Sequence, residues 1–228
     1  MCGRYSASRP PDLTAETYAA TVADEPPPPS WNVAPTDPIS VVVLRETGRE
    51  LRTLRWGLVP SWSKAKKGAA RMINARAETV ATKPAFRNAL ARRRCLVPAD
   101  GWYEWMTGAD GRKQPFFITR SSGGPVAFAG LYEVWRDPAT EELLRTCAVV
   151  TTAAAPSLAY LHERMPVVLP PDAWGEWLDP GLDDPLALLQ SHEGFDAYPV
   201  SPAVNSVRNN GPALLEPLPA EGDGTLFG

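Results

Sequence analysis

The residues able to do chemistry in this chain are few and far apart. Cys2 follows the initiating methionine, and a small residue there favours removal of Met1, which would leave a free α-amine beside the Cys2 thiol. Ordinary pKa values of about 8.5 for the thiol and about 7.7–8.0 for the amine leave both partly nucleophilic near neutral pH. Such a 1,2-aminothiol can condense with an aldehyde through nitrogen and then close through sulfur to a five-membered thiazolidine. No internal residue can do this, because its nitrogen is held in a peptide bond. On position alone Cys2 reads equally well as an ordinary second residue. Glu104 is a lone carboxylate among Trp102, Tyr103 and Trp105, and apolar surroundings raise a carboxyl pKa by desolvation. His162 is one of two histidines; its reference pKa suits acid–base work or the holding of an oxyanion. Asn74 can donate and accept at once, which suits the positioning of an amine. Each residue also has a structural reading: Glu104 as partner of an arginine such as Arg76, and His162 as a cap near a helix end.

A chain of 228 residues buries roughly 70% of its unfolded surface and needs no staples. Its three cysteines, Cys2, Cys95 and Cys147, show neither even pairing nor metal-ligand spacing, so a disulfide framework and a structural zinc are not expected. Cys95 and Cys147 lie in apolar runs and read as core thiols. No secretion signal opens the chain, and no apolar run is long enough to span a membrane. A reducing cytoplasm is the expected compartment, with association to the nucleoid when DNA is bound. The net charge is −3, yet basic residues crowd the first 94 positions, and after Pro170 only Arg208 is basic. A net acidic protein can still carry a basic groove.

With 25 prolines and 17 glycines, long helices are scarce. A short helix is expected at Leu13–Ala23, before an extended Pro26–Pro29 linker. Ile39–Arg45 and Leu51–Trp56 read as a hairpin, and Lys83–Arg94 as a helix with Pro84 in its first turn. Strands are expected at Cys95–Val97, Trp102–Met106, Pro115–Thr119, Val126–Tyr132 and Leu143–Thr151, with a turn at Gly108–Gly111. Ala153–Leu161 and Pro171–Leu178 read as short helices, and Asp196–Val200 as a late strand. The pattern predicts an α+β fold: one domain over 1–228 with a curved, barrel-like, mostly antiparallel sheet and a few short helices. Its core would span 2–210, with 211–228 a loosely held tail. Trp56, Trp102, Trp105 and Trp135 read as core, and Trp62, beside Lys64–Lys67, does not. Asp100 and Glu78 read as structural partners, and His192 carries no role.

Six segments place polar residues where a core would prefer apolar ones. They are Met1-Cys2-Gly3-Arg4-Tyr5, Trp31-Asn32-Val33-Ala34-Pro35, the Trp56–Trp62 turn, Ile73-Asn74-Ala75-Arg76-Ala77-Glu78-Thr79, Pro98–Trp105, and Leu161-His162-Glu163-Arg164-Met165-Pro166. Together they resemble the SRAP (SOS-response-associated peptidase) family, over Cys2 to about Asn210. The resemblance implies a covalent sensor of abasic sites in single-stranded DNA. The Cys exposed by removal of Met1, by a family autopeptidase activity, would form a thiazolidine with the ring-opened sugar. It implies Cys2 as nucleophile, Asn74 as the residue that orients it, and Glu104 and His162 as catalytic groups. The implied DNA-binding residues are Arg4, Asn32, Pro35, Trp62, Arg76, Arg164 and Asn209. It implies no cofactor, no metal, no membrane and a monomer. Two other functions compete. One is an N-terminal-nucleophile glutaminase, which also begins Met-Cys-Gly and would hydrolyse glutamine. The other is a non-covalent single-strand-binding module, which would bind intact and abasic strands alike.

Overall fold

The computed structural model describes residues 2–66, 71–108 and 111–219. The strands in chain order are β1 (Tyr5–Ala7), β2 (Ala20–Val22), β3 (Ser30–Val33), β4 (Pro38–Arg45), β5 (Gly48–Trp56), β6 (Asn74–Arg76), β7 (Arg94–Ala99) and β8 (Gly101–Thr107). They continue with β9 (Lys113–Arg120), β10 (Val126–Arg136), β11 (Leu143–Ala153), β12 (Arg164–Pro166), β13 (Val168–Leu169) and β14 (Phe195–Pro199). Among the described residues three short α-helices join them, α1 (Pro11–Thr17), α2 (Arg87–Arg92) and α3 (Trp174–Leu178), along with short 3-10 turns. Strands β14-β9-β8-β1-β3 form one sheet, and β12-β11-β10-β7-β4-β5-β2 run through a larger one, to which β6 and β13 add. Pairing is antiparallel except where β5 and β6 meet β11 and where β2 meets β5. The mostly antiparallel α+β architecture read from the sequence is the one found.

The two sheets enclose a common core. Tyr5, Val33, Trp102 and Ile118 of the smaller sheet meet Val41, Trp56, Val97, Phe128 and Val149 of the larger, and Cys2, Cys95 and Cys147 lie in the same cluster. The far face of the larger sheet is covered by Tyr18, Leu90, Trp174 and Trp177 from the helical segments. The far face of the smaller sheet, at Tyr103 and Phe117, is covered by Val200, Val204 and Leu214. Buried apolar area on four sheet faces, at about 25 cal/mol per Å², holds together elements too short to be stable alone.

Several boundaries differ from the sequence reading. The first helix stops at Thr17, since Ala19 turns left-handed (φ 48°) and the chain enters β2. The β4–β5 hairpin closes on Arg45↔Gly48, so its loop is Glu46-Thr47 alone, with Gly48 at φ 118°. The helix read over Lys83–Arg94 begins only at Arg87, and in place of a helix over Ala153–Leu161 the chain ends β11 at Ala153 and makes turns over 156–161. The Gly108–Gly111 turn lies partly outside the described residues. Gly211–Pro217 is not loosely held: a 3-10 turn at Pro212–Leu215 buries Leu214, and Val200 bridges Pro217.

Arg94, 4% exposed, shows how the larger sheet holds its helices. Its Nε donates to Trp177 O at 2.7 Å and its Nη1 to Leu90 O at 2.6 Å, while Nη2 donates to Asp179 O. One guanidinium thus serves carbonyls at the C-terminal ends of both α2 and α3, where no helical N–H is available. Arg94→Met should lower unfolding free energy by about 2–4 kcal/mol, the cost of several buried acceptors less the relief of a buried charge. Urea unfolding at pH 7 measures it, and a loss under about 1 kcal/mol would exclude this role.

Candidate active site

The pairing of β1 with β8 carries the amino terminus to the carboxylate. Tyr5 stands opposite Trp102 and Ser6 opposite Gly101. Tyr103 N–H donates to Arg4 O at 3.0 Å, which extends the pairing one residue toward the amino terminus. The same register sets Gly3 across from Glu104, with Cys2 just beyond. Glu104 is 4% exposed. Burial pushes its carboxyl up to about 7, and the amino-terminal charge works against that shift. Cys2 is fully buried where Met1 precedes it, and burial first, then the Glu104 charge, pushes its thiol up. At neutral pH the sulfur is therefore a thiol rather than a thiolate.

The larger sheet brings the other two groups. β6 lies parallel to β11, with Asn74 opposite Val149 and Arg76 opposite Thr151. Ala75 between them is buried, so alternation sends Asn74 and Arg76 to the other face. Asn74 Nδ2 donates to Cys2 O at 2.7 Å. Its Oδ1 is buried and has no hydrogen-bond partner among the described residues, which leaves an acceptor ready for an N–H.

His162 follows the turns over residues 156–161, whose Leu158 and Leu161 are anchored in the core. Arg164 N–H donates to His162 Nδ1 at 2.9 Å. That bond assigns the neutral tautomer, with the proton on Nε2. Burial, joined by the amino-terminal charge, lowers its pKa, so at pH 7 the ring is a neutral Nε2–H donor. Glu104 and His162 line one open pocket with Arg4, Trp105, Lys113 and Asn205. Cys2 and Asn74 are tied to each other by the 2.7 Å bond and do not themselves line this pocket.

The residues read as DNA contacts divide. Arg4 lines the pocket, with its guanidinium 5.8 Å from the Trp105 ring and Nη1 donating to Asn32 Oδ1 and Val204 O, each at 2.8 Å. Asn32 is 3% exposed, and its Nδ2 donates to the carbonyls of Val204, Ser206 and Asn209. It clamps the 204–209 turn rather than facing solvent, which corrects its reading as a direct contact. Asn209 is exposed, with Nδ2 donating to Ala203 O at 2.8 Å. Pro35 is half-buried and precedes Thr36, whose φ of 81° bends the chain after β3. Arg164 is mostly buried and makes a bidentate pair with Glu78 at 2.9 and 3.0 Å while also donating to Thr151 O. Its guanidinium is thus engaged within the protein by Glu78 and Thr151. Arg76 is exposed at the end of β6.

Trp62 is 63% exposed, on a turn pinned by the bond from Trp135 Nε1 to Ser63 O at 2.7 Å. Lys67 lies outside the described residues. Trp56, Trp102 and Trp135 are core, as read, whereas Trp105 is not: it forms a wall of the pocket and donates through Nε1 to Asn205 Oδ1 at 2.6 Å. Asp100 accepts from Ser6 Oγ and Ser8 N–H, a structural role. Lys113 and Asn205 carry no signal in the sequence, since β9 and the 202–205 turn reach the pocket only through the fold. Among the described residues no cluster of three or more His, Cys, Asp or Glu side chains could hold a metal, and no helix is long and apolar enough to cross a membrane.

Comparison with known proteins fits this arrangement. The family model described as SOS response associated peptidase (SRAP) matches residues 1–207. The abasic site processing protein YoqW of Bacillus subtilis (strain 168) is 44% identical over 193 residues, which is 82% of this chain and 86% of that one. YedK of Escherichia coli (strain K12), also an abasic site processing protein, is 34% identical over 96% of this chain and all of its own length. The chicken (Gallus gallus) abasic site processing protein HMCES is 32% identical over 83% of this chain and 66% of its own length. Among solved structures, a protein from Bacteroides thetaiotaomicron superposes with a TM-score of 0.86 at 25% identity, over 95% of this chain and 100% of that one.

Proposed function

The chain belongs to the SOS response associated peptidase family, and from that premise we propose that it senses abasic sites in single-stranded DNA by crosslinking to them through Cys2. The observation that carries the proposal is the placement of Cys2 beside a buried carboxyl raised to about 7, with Asn74 bonded to the same residue. Removal of Met1, by the chain's own peptidase activity, turns the Cys2 amide nitrogen into an α-amine. Asn74 then holds Cys2 through its carbonyl and offers Oδ1 to the new amine. The protein acts as a cytoplasmic monomer that joins the nucleoid through the strand it binds, and it uses no metal or cofactor.

The chemistry follows from the protonation states. An abasic sugar is mostly a closed hemiacetal, and opening it needs a proton delivered to the ring oxygen. Glu104, poised near neutrality, supplies that proton and takes up the one that the anomeric hydroxyl loses as the aldehyde forms. The amine leads, because the thiol is protonated. Nitrogen adds to the aldehyde carbon, a proton passes from nitrogen to the new oxygen, and the hydroxyl leaves as water with the Glu104 proton, giving the protonated imine and a Glu104 carboxylate. His162 Nε2–H stabilises the oxygen as charge develops on it. The thiol then adds to the carbon of the protonated imine and gives its proton to the Glu104 carboxylate, which restores the carboxyl. The net change is one thiazolidine formed and one water released.

Mass spectrometry of the processed protein with an abasic single-stranded oligonucleotide tests the reading. The expected species has the summed mass of protein and oligonucleotide less one water. It should be absent with an intact oligonucleotide and with Cys2→Ala. Failure of processed protein to give it would defeat the proposal.

A further inference from the structure

We propose that Lys113 is a phosphate ligand of this cleft, its ammonium holding a phosphodiester of the single strand beside the abasic sugar. The inference rests on the reading of the cleft as the abasic-strand site. Lys113 opens β9 and stands opposite Thr107, two positions along from the Trp105–Pro115 pair. Directly paired residues, and those two apart, share a sheet face. Lys113 therefore stands on the face of Trp105, the ring that carries Arg4 and bonds Asn205. It is exposed, and it lines the pocket with Glu104 and His162.

Two of the neighbouring cations are engaged within the protein, while Arg76 is exposed at the end of β6. Arg4 Nη1 is held by Asn32 and Val204, and Arg164 is held by Glu78 and Thr151. No hydrogen bond or ion pair engages the Lys113 side chain among the described residues. An ammonium on a four-carbon stem is a mobile point charge with three donors, suited to a phosphate whose position is set by the sugar. The cleft also needs such a charge. A DNA backbone passing Glu104 meets a carboxyl that is partly ionised near neutrality, and Lys113 offsets that repulsion.

The contact is to backbone, so it is blind to the lesion itself. In a Cys2→Ala background, which cannot form the stable adduct, Lys113→Gln should weaken binding of abasic and intact single strands alike, by roughly fivefold at moderate salt. The slope of log affinity against log salt should shrink by about 0.7, the share of one single-strand phosphate contact. Lys113→Arg should restore both. With Cys2 present, the strand concentration for half-maximal crosslinking should rise in proportion. Parental affinity and slope in Lys113→Gln, with a parent that binds and crosslinks normally, would overturn this inference alone. A parent that neither binds nor crosslinks would instead defeat the reading of the cleft, and this inference with it.

Discussion

Glu104→Gln should slow crosslink formation by about 10²–10⁴-fold, the usual contribution of a positioned acid–base group, and should stabilise the folded protein at pH 8. Both effects come from one feature. Burial raises the carboxyl from 4.5 to about 7, so the folded protein holds this proton more tightly than the unfolded chain does. Below the unfolded value the group is protonated in both states and carries no penalty. As pH rises from about 4.5 to about 7, folding must either keep the proton or bury a charge, and stability from this group is lost. Above about 7 the loss is complete, on the order of 3 kcal/mol. Glutamine has the shape of the protonated acid and cannot ionise, so the variant escapes the loss. Urea unfolding at pH 4 and pH 8 should show wild type and variant alike at the lower pH and the variant more stable at the higher. A variant less stable at pH 8, or one that crosslinks at the wild-type rate, would show that Glu104 is a structural partner.

The residues proposed to carry this chemistry stand out from their surroundings in the sequence: a cysteine after the start, a carboxylate between tryptophans, a histidine ahead of Arg-Met-Pro. The strands were legible too, since β-branched and apolar runs mark β4, β5, β7, β10 and β11. What the sequence hides is what lies opposite. Asn32 sits in a polar motif and reads as a ligand for DNA, but its three acceptors come from residues 204–209, about 175 positions away. Arg164 reads as a free cation until β12 sets it against Thr151 and Glu78. Trp105 reads as core like Trp102, yet alternation along β8 sets it on the opposite face, with Tyr103, where its ring lies under Arg4 at the pocket. Ala153–Leu161 has helical composition, yet the chain makes turns over 156–161, with Leu158 and Leu161 packed in the core. The short edge strands β2 and β6 have too few residues for a pattern and exist because β5 and β11 offer them unpaired edges.

Blocking the α-amine should abolish crosslinking completely while strand binding persists. The nitrogen and the sulfur of Cys2 have separable roles, and removing each in turn distinguishes an aminothiol from an ordinary thiol nucleophile. A protein carrying an uncleaved N-terminal extension keeps the Cys2 thiol but has no amine. Its sulfur can add to an aldehyde only as a hemithioacetal, which reverts on heating. No heat-stable adduct should form, and borohydride should trap nothing. Cys2→Ala, once Met1 is removed, keeps an amine and lacks the sulfur. It should give no heat-stable adduct, but borohydride should trap its imine. Cys2→Ser should behave like the alanine variant, because the oxazolidine that its hydroxyl could close is less stable than a thiazolidine. Processed wild type alone should give a species that survives heat without reduction. Burial and the Glu104 charge raise the thiol pKa, which favours nitrogen as the first nucleophile, with sulfur adding afterwards to the imine assisted by Glu104. The readout is a denaturing gel of each protein with an abasic strand, with and without borohydride, beside a binding titration on the same samples. A blocked protein that crosslinks as fast as the processed one would make sulfur the first nucleophile and remove the need for a free amino terminus.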